Sequence, residues 1–135
     1  MRYVAFLHQD QEGFGISFPD FPGCVSDGAT ADEAVTRGEE ALAFHVEGME
    51  EDGEPLPRPR SLSDILADAD LAEWREGAQI AHVPLLIDRG SPRRVNVSLD
   101  PGLLEAIDAE AQRRGMTRSA FLSSAARAEI RGRHG

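Results

Sequence analysis

The sequence predicts an α+β protein that is built from two units, residues 1–88 and residues 89–135. In the first unit, short segments rich in β-branched and aromatic residues precede a long amphipathic helix. In the second unit, one alternating segment precedes two capped helices. The charge also changes sign: residues 1–90 carry 6 arginines against 19 acidic residues, a net charge of −13, whereas residues 91–135 carry 8 against 5, a net charge of +3. Two units with different partners are therefore expected, and the basic unit is the one that could approach phosphates.

Three short strands are predicted at the start of the first unit. The segments "RYVAFLH" (2–8) and "GFGISF" (13–18) flank the polar turn "QDQEG", which is the pattern of a β-hairpin. Two prolines and a glycine make "PDFPG" (19–23) a loop, after which "CVSDG" (24–28) can add a third strand. The first unit is therefore expected to begin as an antiparallel meander.

A long helix is predicted to follow this meander. Thr30 and Glu33 have the spacing of a capping box, and the helix should end near Gly53. The apolar positions repeat every 3.6 residues and are Ala34, Val35, Gly38, Ala41, Leu42, His45 and Met49. The opposite face is acidic and holds Asp32, Glu33, Glu39, Glu40, Glu47 and Glu50.

The rest of the first unit is expected to be extended, then helical, then extended again. "EPLPRPR" (54–60) is a proline-rich connection, and Ser61 can cap a second short helix that includes Ile65, Leu66, Leu71 and Trp74. "AQIAHVPLLID" (78–88) is nearly continuous in apolar residues, which predicts a strand buried on both faces. "RGSPR" (89–93) is the predicted boundary between the units.

The second unit is predicted to be a strand followed by two helices. In "RRVNVSLDP" (93–101), one face of the strand consists of Val95, Val97 and Leu99, and the other of Arg94, Asn96 and Ser98. Asp100 caps the first helix with Pro101 at its first position, and Gly115 is its left-handed C-cap. Thr117 caps the second helix. The apolar stripes of the two helices are Leu103, Leu104, Ile107 and Ala111, and Phe121, Leu122, Ala125 and Ile130.

A single strand in so small a unit predicts pairing with a second copy. One strand cannot satisfy its own backbone, and about 40 residues bury too little surface to be stable alone. Two strands paired antiparallel over four helices would solve both problems and would repeat the polar face twice. Such a ribbon fits the major groove, where Arg pairs with guanine and Asn with adenine. The start of the second helix, Thr117, Arg118 and Ser119, would then hold a phosphate.

The second unit resembles the ribbon-helix-helix family of DNA-binding proteins. The resemblance covers "RRVNVSLDPGLLEAIDAEAQRRGMTRSAFLSSAAR" and rests on the alternating strand, the Asp-Pro helix start and the Gly before a Thr-capped helix. It implies that Arg94, Asn96 and Ser98 read bases, and that the protein is an obligate dimer on a pseudo-palindromic operator. The implied dimer core consists of Val95, Val97, Leu99, Leu103, Ile107, Phe121 and Leu122.

The first unit resembles the HicB antitoxin family. The resemblance rests on "FPDFPGCVSDGATADEAVTRGEEAL" (18–42) and extends over most of residues 1–88. It implies a partial RNase-H-like fold, here an antiparallel meander plus a helix, that neutralises HicA, a small basic toxin that cleaves mRNA. Many members add a DNA-binding unit, which implies repression of their own operon. The acidic charge of the unit suits a basic partner, and Asp20, Glu39, Glu40 and Glu47 are the candidate toxin contacts.

Two other functions are open to this sequence. A free-standing ribbon-helix-helix regulator would use the first unit to sense a ligand or protein. A Mg²⁺-dependent nuclease is disfavoured, because residues 2–8 carry no carboxylate and Asp20 and Asp27 lie in predicted turns. No cofactor is expected, and His8, Cys24, His45 and His82 lack the spacing of metal ligands. A lone cysteine and the lack of a secretory signal or a long apolar run predict a cytoplasmic protein with no membrane partner. The paired strands predict a homodimer, and association of the first units would extend it to a tetramer.

Overall fold

A computed structural model describes residues 1–88 and 92–132. The chain divides into two compact units, Met1–Asp88 and Arg89–Gly135, and each is described by itself. Of the predicted boundary segment 89–93, residues 89–91 lie outside the described residues.

The first unit contains a four-stranded antiparallel sheet in its described residues. The strands are β1 (Arg2–Gln9), β2 (Phe14–Ser17), β3 (Val25–Gly28) and β4 (Gln79–Pro84), and their order across the sheet is β3-β2-β1-β4. The predicted hairpin and third strand are confirmed. Asp10 fixes the hairpin turn, because its Oδ1 accepts hydrogen bonds from the backbone N–H groups of Glu12 at 2.7 Å and Gly13 at 3.0 Å.

Helix α1 (Ala31–Glu51) packs on one face of the sheet. Its predicted cap is confirmed, since Thr30 Oγ1 accepts a hydrogen bond from the Glu33 N–H at 3.1 Å. The buried side of the helix consists of Ala34, Gly38, Leu42 and Val46. Val46 was not among the predicted core positions, whereas His45, which was, is only half-buried and lies edge-on to the ring of Phe21.

The close approach of α1 to the sheet depends on glycine at two positions. A Cβ on Gly28 would lie 2.4 Å from the backbone nitrogen of Ala34, and one on Gly38 would lie 2.7 Å from Cδ1 of Ile16. Both distances are shorter than a van der Waals contact. At Gly28 the obstacle is backbone, so a larger residue would force the helix away from the sheet, whereas at Gly38 the side chain of Ile16 would have to shift.

Three short helical segments cover the opposite face of the sheet. They are α2 (Leu62–Ala67), a 3-10 turn (Ala69–Leu71) and α3 (Ala72–Arg75). Ile65 and Leu71 are buried there against Val4 and Phe6. The prediction of one continuous helix was wrong, because the chain leaves the helical conformation at Asp68, whose carboxylate accepts a hydrogen bond from the Asp70 N–H and starts a new turn.

Strand β4 lies at an edge of the sheet, and the prediction that it is buried on both faces was wrong. Val83 is buried and Ala81 partly buried, both on the side of α1, whereas Ile80 and His82 are exposed on the other face. Ile80 and His82 lie beside Phe6 and Val4 of β1, but the helices that cover those two residues leave Ile80 and His82 exposed at the edge. The apolar residues of β4 therefore pack into the core on the α1 side of the sheet only.

The second unit consists of helices α4 (Pro101–Arg113) and α5 (Arg118–Arg131) in its described part. The predicted caps are confirmed: Asp100 accepts a hydrogen bond from the Leu103 N–H, and Thr117 accepts one from the Ala120 N–H. Gly115 has φ 68°, as a left-handed C-cap requires.

The predicted strand in the second unit is not formed in the single chain. Described residues 92–100 have no regular secondary structure and are exposed, apart from the partly buried Leu99. A strand exists only through hydrogen bonds to a neighbouring strand. The neighbour that the sequence predicts belongs to a second copy, so the ribbon stays a prediction.

Candidate functional site

The outer face of α1 carries the acidic residues that the sequence proposed as toxin contacts. Glu40 and Glu47 are exposed, and Glu39 is partly buried. Phe44 lies on the same face with 80% of its surface exposed, and it was not among the predicted contacts. The signal was available in the sequence, because Phe44 is an aromatic residue that falls outside the apolar stripe of the helix.

Asp20, the fourth candidate toxin contact, is buried and has its partner within the unit. Its side chain is 3% exposed, and its two oxygens accept hydrogen bonds from Arg60, one from Nε at 2.6 Å and one from the backbone N–H at 3.0 Å. A carboxylate held in this way is not available to a partner at the surface. Asp20 therefore stabilises the fold, and the candidate toxin contacts at the surface are Glu39, Glu40 and Glu47.

Arg60 links the proline-rich connection (54–60) to Asp20 in the loop after β2 and to Asp68 at the end of α2. Besides Asp20 it donates to Asp68 Oδ2 at 2.9 Å, so one guanidinium serves two carboxylates. The hydrogen bond to Asp20 is the main cause that raises the Arg60 pKa. The pKa of Asp68 is lowered, first by the hydrogen bond from the Asp70 backbone and then by Arg60. No role was predicted for Arg60, because its partners are 40 and 8 residues away along the chain.

A second contact fastens the same connection to the sheet. Tyr3 Oη donates a hydrogen bond of 2.6 Å to the carbonyl oxygen of Pro57. Burial, followed by the negative charge of Asp20, raises the Tyr3 pKa, so the phenol keeps the proton that it donates.

Cys24, the one thiol of the sequence, lies in the core of the first unit. Cys24 is buried, and burial raises the pKa of its thiol to about 11, which keeps it protonated and unreactive. Among the described residues, no three His, Cys, Asp or Glu side chains are grouped so that they could hold a metal ion. No helix in the described residues is long and apolar enough to cross a membrane.

In the second unit, the residues proposed to read bases project from an exposed segment. Arg94, Asn96 and Ser98 are exposed in the single chain. The valines between them are exposed as well, Val95 by 75% and Val97 by 65%. Val95 and Val97 lie on the same face of the alternating segment, and exposure of both to water is unfavourable, so this face lacks a cover among the described residues of the second unit.

The proposed dimer core is only partly assembled within one chain. Ile107 is buried, Phe121 and Leu122 are partly buried, and Leu103 is 47% exposed. The guanidinium of Arg114 lies over the Phe121 ring, 5.6 Å from its centroid.

The start of α5 holds the three proposed phosphate ligands in different environments. Thr117 uses its hydroxyl as the helix cap, and Ser119 is exposed. Arg118 forms a bidentate pair with Asp108 of α4, with Nε and Nη2 at 2.8 and 2.7 Å from the two carboxylate oxygens. The pair lowers the Asp108 pKa and raises that of Arg118. Any phosphate would therefore meet a guanidinium that is already oriented but partly neutralised.

Residues 3–126 match a protein family that is described as "HicB_like antitoxin of bacterial toxin-antitoxin system". The chain belongs to this HicB family. The resemblance of residues 1–88 to HicB antitoxins is thereby confirmed. A 14.9 kDa protein from the rep-hol intergenic region of Haemophilus phage HP1 is 32% identical to this HicB-like chain over 108 residues, which are 80% of each chain.

Solved structures are similar to the HicB-like chain in fold as well. The antitoxin HicB of Burkholderia pseudomallei is 34% identical, with a TM-score of 0.56, over 93% of this chain and 96% of that one. A chain from the HicA3 and HicB3 toxin-antitoxin complex is 36% identical, with a TM-score of 0.53, over 66% of this chain and 100% of that one. The mixed α and β architecture is thus shared with HicB antitoxins.

Proposed function

We propose that this protein neutralises a basic ribonuclease toxin of the HicA type through the unit Met1–Asp88. The observation that carries the proposal is the match to a whole chain of the HicA3 and HicB3 complex at 36% identity. The exposed carboxylates of α1 agree with it, because a strongly acidic unit attracts a basic protein and repels RNA. In this reading the sheet and α1 form a partial RNase-H-like domain that binds and does not cleave.

The toxin half of the proposal is tested by co-expression with the adjacent gene. The toxin alone should arrest growth, the pair should restore it, and the two purified proteins should form a stable complex. A full-length protein that gives no rescue and no complex, yet binds its promoter, would instead support a free-standing regulator. Cleavage of RNA by the purified protein with Mg²⁺, abolished by EDTA, would support a nuclease.

We further propose that the second unit binds operator DNA as a ribbon-helix-helix dimer. The exposure of Val95 and Val97 supports this, since pairing with a second copy would bury both valines and leave Arg94, Asn96 and Ser98 on the outer face. Association of first units into a tetramer would place two ribbons on neighbouring half-sites. Operator DNA and a toxin that cleaves mRNA would both be met in the cytoplasm, where we expect this protein to act.

The DNA half is tested with substitutions on the polar face. Arg94→Ala or Asn96→Ala should leave the dimer intact and lower discrimination between operator and random DNA by about 1–3 kcal/mol. Arg93→Ala is the matched control, because the alternation directs Arg93 to the opposite face of the strand. Equal discrimination by both test variants and wild type would contradict the assignment. Removal of residues 91–135 should abolish DNA binding and leave toxin binding unchanged.

A further inference from the structure

Phe44 is an exposed aromatic side chain that the fold of the first unit does not explain. It is 80% exposed on α1, whereas the inward side of the same helix holds Leu42 and Val46 at 0% exposure. Full burial of a phenylalanine side chain is favourable by about 1.5–3 kcal/mol, and an exposed ring lacks this stabilisation. A polar residue with a good helix propensity would suit this exposed position, so the ring points to a cover that the first unit does not supply.

Gly48, one turn further along α1, is also unexplained by packing within the unit. A Cβ on Gly38 would collide with Ile16, which accounts for that glycine. A Cβ on Gly48 would meet no other atom of the described residues within 4 Å outside its own stretch of helix. Glycine within a helix destabilises it by about 1 kcal/mol relative to alanine. Beside Phe44 the helix therefore presents bare backbone, which leaves space for the side chain of a partner.

The charge around this pair selects the kind of partner. Glu40 and Glu47 lie one turn on either side of Phe44, and both are exposed. We call Glu40, Phe44, Glu47 and Gly48 the Phe44 patch. Two such patches would bring like charges together, so a second copy of this chain is disfavoured as the occupant, as are nucleic acid and anionic membrane. An apolar centre with a charged rim is the usual anatomy of a protein interface with a hot spot.

We propose that the Phe44 patch is the anchor for the toxin, with the ring of Phe44 inserted into an apolar pocket that is surrounded by Lys or Arg side chains. The inference rests on the proposed antitoxin function and names the contact that dominates it. Glu40 and Glu47 attract the basic rim, and Gly48 lets a partner side chain approach the helix backbone next to the ring. Loss of the ring should mainly accelerate dissociation, while loss of the carboxylates should mainly slow association.

The test measures binding of the full-length chain to a purified, inactivated toxin. Phe44→Ala should weaken binding 10- to 100-fold, chiefly through faster dissociation. Leu66→Ala is the matched control, because Leu66 is an exposed apolar residue on α2, on the opposite face of the sheet, and this variant should bind like wild type. Glu40→Gln combined with Glu47→Gln should slow association and weaken its dependence on salt.

The substitution Gly48→Ala tests whether Gly48 serves toxin binding or only the structure of the helix, because it allows stability and affinity to be compared. Alanine favours the helix and meets no neighbour there, so the midpoint of thermal unfolding should rise while toxin affinity falls. A structural role alone would not move stability and affinity in opposite directions.

The possible outcomes distinguish this inference from the proposed function. If wild type binds the toxin and both Phe44→Ala and Gly48→Ala bind equally well, the patch is not the anchor, although the antitoxin function stands. If Phe44→Ala changes the oligomeric state in light scattering and leaves affinity unchanged, the occupant is a second copy and the inference is wrong. If wild type does not bind the toxin, the proposed function and the inference both fail.

Discussion

Substitution of Arg60 by alanine should strongly destabilise the first unit. Arg60 is the charged partner of Asp20, whose side chain is 3% exposed, at an Nε to Oδ1 distance of 2.6 Å. In Arg60→Ala that oxygen would be left without its partner, while the other oxygen keeps the backbone N–H of residue 60. The variant thus leaves one oxygen of a buried carboxylate unpaired, and it also removes the hydrogen bond to Asp68, whose side chain is 30% exposed.

The magnitude follows from how deeply each partner is buried. Breaking a fully buried pair by removing one partner costs about 3–5 kcal/mol. Arg60 is 35% exposed and one backbone hydrogen bond to Asp20 survives, which reduces the expected loss in the free energy of unfolding to about 2–3 kcal/mol. For a domain of this size the melting temperature should fall by about 10–20 °C. Arg37 provides the control, because its pairs with Asp27 and Glu33 are exposed, and Arg37→Ala should cost less than about 1 kcal/mol.

The assay uses Trp74, the one tryptophan of the sequence. Its ring lies 5.9 Å from that of Phe6, between centroids, so its fluorescence reports unfolding of the first unit separately from the second. Urea titrations of wild type, Arg60→Ala and Arg37→Ala give the three free energies. Equal and small losses in the two variants would refute the reasoning, because they would mean that Asp20 is solvated in the folded protein.

Three further predictions concern other parts of the chain. Gly28→Ala, which would bring a Cβ to 2.4 Å from a backbone atom of α1, should cost about 1–3 kcal/mol in urea unfolding, whereas a negligible cost would show that the helix can move. Cys24 should react with thiol reagents at pH 8 at least about 100-fold more slowly in the native state than in urea, because it is buried and its pKa is raised to about 11. Glu110 has its pKa lowered to about 2, mainly by Arg113, so the stability it gives α4 is present above about pH 4.5 and is lost as pH falls towards 2. Circular dichroism should show that loss in wild type, and Glu110→Gln should lack it.

The features predicted well from the sequence are those with local causes. The hairpin turn at Asp10 and the cap of α1 at Thr30 each depend on hydrogen bonds between residues two or three positions apart. A short window of sequence contains all the atoms involved, so the pattern identifies the structure.

The features that were missed have causes far away in the chain. Whether β4 is covered on one face or two depends on which helices reach the edge of the sheet, not on its own composition. The role of Asp20 depends on Arg60, 40 residues later, and the end of α2 at Asp68 coincides with a contact to that same arginine. Phe44 is a different case, because the helical pattern alone placed it on the wrong side for the core.

The order of the strands also affects how the first unit can be completed during synthesis. The central strand β1 is made first, but its partner β4 ends 75 residues after β1, from Gln9 to Pro84. At about 5–20 residues per second, the ribosome needs about 4–15 s to add that stretch. Val4 and Phe6 of β1 lack their cover until Ile65 and Leu71 have been added, and one edge of β1 lacks its partner strand until β4 is complete. A nascent chain interrupted before residue 71 would therefore expose both an apolar face and a strand edge of β1, and be a substrate for chaperones and proteases.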